Sequence, residues 1–148
     1  MTQKRKIHLL AHAESRAQKR GLRWTDMRSW VYARLLDGDR PLTAYQLLAD
    51  LSRIHKRDIK PASVYRALEA LVELELIVRI ESLTAFRACH HPEEQHQHVF
   101  LVCNSCGTTA EMEDEAIGKR LTADAATHGF RTGRQVLELH GECRGCQH

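Results

Sequence analysis

Four cysteines in two pairs carry the strongest chemical signal in this 148-residue chain: Cys103-Asn104-Ser105-Cys106 and Cys143-Arg144-Gly145-Cys146. A Cys-x-x-Cys turn brings two thiolates to one side. Two such turns close a tetrahedral shell around an ion and leave no position for water. Four thiolates suit zinc, so the spacing predicts a structural zinc site at Cys103, Cys106, Cys143 and Cys146. Redox-active or disulfide-bonded pairs are the competing chemistry, and two disulfides fit poorly with a reducing compartment. The 36 residues between the pairs exceed the usual zinc-ribbon loop and leave room for a strand–helix–strand.

A second set of donors is Cys89, His90, His91, His96, His98, Glu111 and Glu113. His96 and His98 share a face if that stretch is extended. A metal held by ligands from both sides of residue 89 would fix the angle between two halves of the chain, which makes it a conformational input. A polar, solvated His-rich linker with one unpaired thiol is the alternative.

The third constellation is basic. Pro61 sits where the first turn of a helix tolerates it, and Val64, Leu68, Leu71 and Val72 recur at helical spacing. Away from that stripe the helix over 61–74 offers Ser63, Tyr65 and Arg66 near its start, with Lys60 just before. Arg66 can reach a phosphate or fork onto guanine, and Tyr65 can bond a phosphate or pack on a thymine methyl. A half-buried tyrosine and a merely solvated arginine would make the same pattern.

The elements around these residues read as follows. A helix over 4–19 ends before Gly21, and Thr25 or Asp26 caps a second that buries Trp30, Val31 and Leu35. Thr43 and Gln46 form a capping-box pattern at the start of a third, with Leu47, Leu48 and Leu51 inward. The 61–74 helix follows, then alternating stretches 76–81 and 85–88 as a hairpin. Beyond it, 99–102, 108–112 and 135–140 read as strands and 114–128 as a helix with Ile117 and Leu121 inward. The fold class is α+β: an N-terminal winged helix-turn-helix over residues 1–89, then a small zinc-stapled α/β unit over 90–148. Fifty-nine residues make a marginal core without a staple or a partner.

Charge divides at the same place. Residues 1–89 hold 17 Lys+Arg against 10 Asp+Glu, net +7, and residues 90–148 hold 5 against 9, net −4. Seven of the ten His and four of the five Cys fall in the acidic part. Nucleic acid at one end and metal at the other accounts for this split. The composition is 43% hydrophobic and 28% charged, and no run approaches a bilayer span. Met1-Thr2-Gln3-Lys4-Arg5-Lys6 lacks an apolar region behind its charges, so a cytoplasmic protein is expected. An enzyme is not. His91-Pro92-Glu93 ahead of Cys103-x-x-Cys106 approaches a zinc-deaminase order, but Val102 replaces its proline and the second cysteine pair would have no role. Phosphate-binding glycine loops and serine elbows are absent from the sequence.

The stretch Lys60-Pro61-Ala62-Ser63-Val64-Tyr65-Arg66-Ala67-Leu68, the two cysteine pairs and the His-rich run before Cys103 together resemble the ferric uptake regulator superfamily. The resemblance spans residues 22–146. Within that group the chain is similar to the zinc uptake regulator branch through Leu42-Thr43-Ala44-Tyr45-Gln46-Leu47-Leu48, Ile80-Glu81-Ser82 leading to Cys89, and Leu137-Glu138-Leu139-His140-Gly141-Glu142-Cys143. It implies a zinc-responsive repressor, a homodimer on AT-rich palindromic operator DNA, one or two dimers per operator, controlling zinc-uptake genes. It implies two Zn2+ per chain, one structural and one regulatory. By the same resemblance Tyr65 and Arg66 contact DNA, and Arg23 lies beside the minor groove. Cys89, His96 and Glu111 fall on regulatory ligand positions. Val78 stands where some zinc sensors have a His, so the fourth ligand comes from elsewhere: His98 first, then His91 or His90. The Cys89 thiolate favours zinc over iron. An iron or peroxide sensor, and a zinc-stapled protein-interaction module, are the other classes.

Overall fold

In the computed structural model, which describes residues 1–94 and 97–147, the chain divides into two units, Met1–Pro92 and Glu93–His148. The expected regulatory ligand His96 lies outside the described residues.

In the first unit, side-chain caps fix where the helices begin. Thr2, Thr25 and Thr43 each accept from the backbone amide three residues on, opening α1 (Gln3–Lys19), α2 (Asp26–Leu36) and α3 (Ala44–His55). At α3 the Gln46 side chain returns the bond to the Thr43 amide, completing the capping box. α1 stops where Gly21 takes φ +69 and the Leu22 amide donates back to the Ala17 carbonyl. α4 (Pro61–Glu73) starts with Pro61 in its first turn.

α4 has no basic residue in its last turn. Instead α1 supplies the positive charge: Arg16 donates to the Leu74 carbonyl at 3.1 Å and Arg20 to the Glu73 carbonyl at 2.8 Å. Between α2 and α3, the Arg34 guanidinium lies 2.6 Å from the Asp50 carboxylate. The wing is β1 (Ile77–Ile80) antiparallel to β2 (Ala85–Ala88), and Leu42 bridges to Phe86. Leu9, Val31, Leu35, Leu47, Leu51, Leu68, Leu71 and Ile77 fill one core beneath all four helices. Of the expected inward residues, Trp30 is half-buried, with its ring stacked on His55 at 3.7 Å.

Residues 90–92 also belong to this unit. Arg5 of α1 donates to the His90 carbonyl at 2.8 Å, and Arg16 donates to the Pro92 carbonyl.

The second unit is a three-stranded sheet in the order β4-β3-β5. β3 (His98–Cys103) pairs antiparallel with β4 (Thr109–Met112) and parallel with β5 (Val136–Gly141). A parallel pair needs a crossover, and α5 (Glu115–Thr127), capped by Asp114, provides it. Among the described residues of this unit, the buried side chains are His98, Val99, Phe100, Val102, Cys103 and Thr109. That core comes almost entirely from one strand.

The inward placement expected of Leu121 does not hold: it is 39% exposed, and Leu101, Phe130, Val136 and Leu139 are exposed with it. Helical spacing reported a real apolar stripe on α5, but the small sheet does not cover it.

Candidate metal centre and nucleic-acid interface

Sheet register builds the metal centre. β3 and β5 run side by side with Cys103 opposite Gly141, so both strands end at the same level. The Asn104 amide then donates to the Gly141 carbonyl at 2.8 Å and ties the two turns together. After Cys106 the chain reverses at Gly107, whose φ of +71 suits a residue without a side chain. Cys143 and Cys146 lie in the facing turn, closed by the Cys146 amide on the Cys143 carbonyl at 2.8 Å.

The four sulfurs lie within 4.8 Å of one another, and none is in a disulfide. Cys106 Sγ and Cys143 Sγ are 3.8 Å apart. A tetrahedron with metal–sulfur bonds of about 2.3 Å has edges of about 3.8 Å, so this spacing fits zinc.

The electrostatics ask for a cation. The Cys143 amide, which donates to Cys103 Sγ at 3.3 Å, heads the contacts that bring the Cys103 thiol down to about 6, with the Cys106 amide next. Cys106 is lowered too, first by the Thr108 hydroxyl. Cys146 is pushed up to about 12, chiefly by the Cys143 thiol and then by Cys106 and Cys103. Amides favour the first negative charge, and crowded sulfurs oppose the last. A divalent ion at the centre removes that opposition.

His98 and Glu111 form a second pair of donors, on adjacent strands. Phe100 is opposite Glu111 in the ladder, so His98, two residues earlier, shares its face diagonally. His98 Nδ1 lies 2.8 Å from Glu111 Oε1, and its ring stacks parallel to Phe100 with centroids 5.9 Å apart. His98 is 5% exposed, an unusual burial for a group that must stay hydrogen-bonded. Cys89, at the end of β2 in the first unit, is buried with its amide donating to the Leu76 carbonyl at 2.9 Å. His90 is half-buried, whereas His91 and Glu113 are exposed.

On α4, Tyr65 and Arg66 are exposed, Ser63 is half-buried, and Lys60 is exposed at the N-cap without a side-chain cap bond. Arg23 is exposed between α1 and α2, with its carbonyl held by the Arg28 guanidinium. One residue that sequence reasoning passed over is Tyr45. It is 80% exposed in the first turn of α3 and lines the same groove as Tyr65. Its signal was its place next to Ala44, on the polar side of a helix whose apolar stripe is Leu47, Leu48 and Leu51.

Comparison with known proteins adds four findings. The sequence model of the Ferric uptake regulator family matches residues 19–140. The zinc uptake regulation protein of Escherichia coli (strain K12) is 34% identical over 139 residues, covering 93% of this chain and 81% of that protein. Among solved structures, a zinc uptake regulator complexed with zinc and DNA superposes with a TM-score of 0.84. It is 31% identical and covers 98% of this chain and 95% of that one. Holo XcZur superposes with a TM-score of 0.77 at 38% identity, covering 92% and 94%.

Proposed function

Because the chain belongs to the Ferric uptake regulator family, a family of regulators and not of enzymes, we propose that it is a zinc-responsive transcriptional repressor. It binds operator DNA as a homodimer when a regulatory site is loaded and so controls zinc-uptake genes. Residues 1–89 carry the DNA contacts, and residues 90–148 carry the metal and the dimer contact. Likeness to a zinc uptake regulator bound to zinc and DNA, along almost the whole chain, is the observation that carries this reading.

The chain's own residues agree with it. An exposed Tyr65 and Arg66 early in α4, flanked by Lys60, suit base edges and phosphates in a major groove. Ser63 and the exposed Arg23 add backbone contacts, Arg23 from outside the helix pair. An AT-rich palindrome, taken by one dimer or two, suits a two-fold protein. Exposed Leu101 and Leu139, paired across β3 and β5, and exposed Leu121 on α5 supply an apolar surface for a second copy. The cytoplasm is where such DNA is found.

Two zinc ions per chain fit the donors. The four cysteines hold the structural ion. Cys89, His96, Glu111 and His98 are the regulatory set, and His98 is the fourth ligand ahead of His91 and His90. Hydrogen-bonded His98 and Glu111 support this, since a cation on His98 Nδ1 would replace the shared proton and take both groups together. A thiolate at Cys89 selects zinc over iron.

The test is zinc per chain after equilibration across a series of zinc buffers. Two ions, one resistant to chelation and one exchangeable, are expected. A single tightly held ion at every buffered level would leave the four-cysteine site standing and contradict zinc sensing.

A further inference from the structure

α1 does more than cover the core. Its Arg16 guanidinium forks between two carbonyls far apart in sequence: Leu74, the residue that ends α4, and Pro92. Arg5, on the same helix, holds the His90 carbonyl at 2.8 Å. Between these anchors lies Cys89, whose amide donates to the Leu76 carbonyl at 2.9 Å. The end of α4, the backbone of Cys89 and the carbonyls of His90 and Pro92 are therefore held close together by hydrogen bonds, those to Leu74, His90 and Pro92 coming from α1.

The chemistry of the cluster has a direction. The C-terminal carbonyls of α4 are the negative end of its dipole and attract a guanidinium. A planar guanidinium donates along fixed directions, so bonds to two carbonyls set the distance between them, which a flexible ammonium would not do. Leu74 is fully buried and Pro92 is buried, so neither carbonyl can drift without disturbing packed side chains.

We propose that Arg16, assisted by Arg5, is a positioning residue that couples the regulatory metal site to the DNA-reading helix. It acts by locking the chain after Cys89 to the end of α4. This rests on the proposed zinc-dependent DNA binding. Ligation at Cys89 and beyond pulls on residues 89–92, and Arg16 passes that constraint to α4. Without the fork, metal still binds, but its effect on α4 weakens.

The experiment compares wild type, R16M and R16K for binding to one duplex, selected from a randomised DNA pool against the zinc-loaded wild-type protein. Affinity is measured with the exchangeable zinc present and after its removal by a chelator that leaves the tight zinc in place. Coupling is the ratio of the two affinities. In R16M the ratio is expected to fall about tenfold, within the usual range for coupled sites. Zinc-free DNA affinity and tight zinc content stay at the wild-type level. R16K keeps the charge but not the fork, and is expected to lie near R16M. A wild-type ratio in R16M, or full recovery in R16K, overturns the proposal. If R16M does not fold, R5M, which removes the bond to the His90 carbonyl, takes its place, with a reduced ratio expected and an unchanged one overturning it. A wild-type protein that selects no duplex, or whose affinity ignores zinc, overturns the functional reading and this proposal with it. The wild-type titration thus separates that failure from failure of Arg16 alone.

Discussion

Cys106 and Cys143 are 37 positions apart in sequence, and their sulfurs stand 3.8 Å apart. Parallel pairing of β3 with β5 brings them there, because Cys103 and Gly141 end their strands opposite each other. The centre is thus built into the sheet, so an ion held there would tie the ends of β3 and β5 together.

Replacing Cys143 with Ser should therefore abolish the chelator-resistant zinc and unfold the second unit. Structural zinc contributes on the order of 10 kcal/mol of apparent binding energy in small metal-dependent folds, more than this thin core can replace. Circular dichroism together with elemental analysis checks it. A C143S protein with native melting and no zinc would refute the structural role.

The thiols also set a pH dependence for the stability of the second unit. Cys103 titrates near 6 in the folded state against 9.0 for an ordinary thiol, because the Cys143 and Cys106 amides favour its thiolate. A depressed folded value stabilises above the unfolded one, and that contribution is lost as pH falls through the folded one. Cys146, pushed up to about 12, opposes folding only above pH 9.0. With zinc bound, protons compete with the ion for the same thiolates, so the melting temperature of the zinc-loaded protein should fall as pH is lowered from about 9 to about 6; an unchanged melting temperature across that range would contradict it.

Arg66→Ala should weaken DNA binding while leaving the zinc content unchanged. A bidentate base contact contributes about 1–3 kcal/mol, so a loss of roughly 10- to 100-fold in operator affinity is expected. Fluorescence anisotropy measures it, and wild-type affinity in R66A would remove α4 from the interface.

Cys89→Ser should leave the protein folded, since the Cys89 amide keeps its bond to Leu76 and Ser is close in size. DNA binding should then no longer respond to zinc. Loss of folding instead would mark Cys89 as a packing residue of the first core.

How far these features were legible in the sequence follows from how local they are. Thr43 with Gln46, Gly21 after α1 and Pro61 at the start of α4 speak through near neighbours, and each helix begins or ends there. The cysteine pairs were equally legible, because their spacing is itself the chemistry. Leu121 misled because periodicity identifies an apolar face without saying what covers it. Tyr45 was passed over because exposure, rather than residue type, distinguishes it. The fork of Arg16 was beyond reach, since its acceptors are backbone carbonyls that any residue would offer at positions 74 and 92.

The most direct test of the central claim is DNA affinity as a function of buffered free zinc, with the structural site kept full throughout. Zinc regulation predicts a rise in affinity that follows filling of the second, exchangeable site and reverses when free zinc is withdrawn. Equal affinity at every zinc level would contradict it.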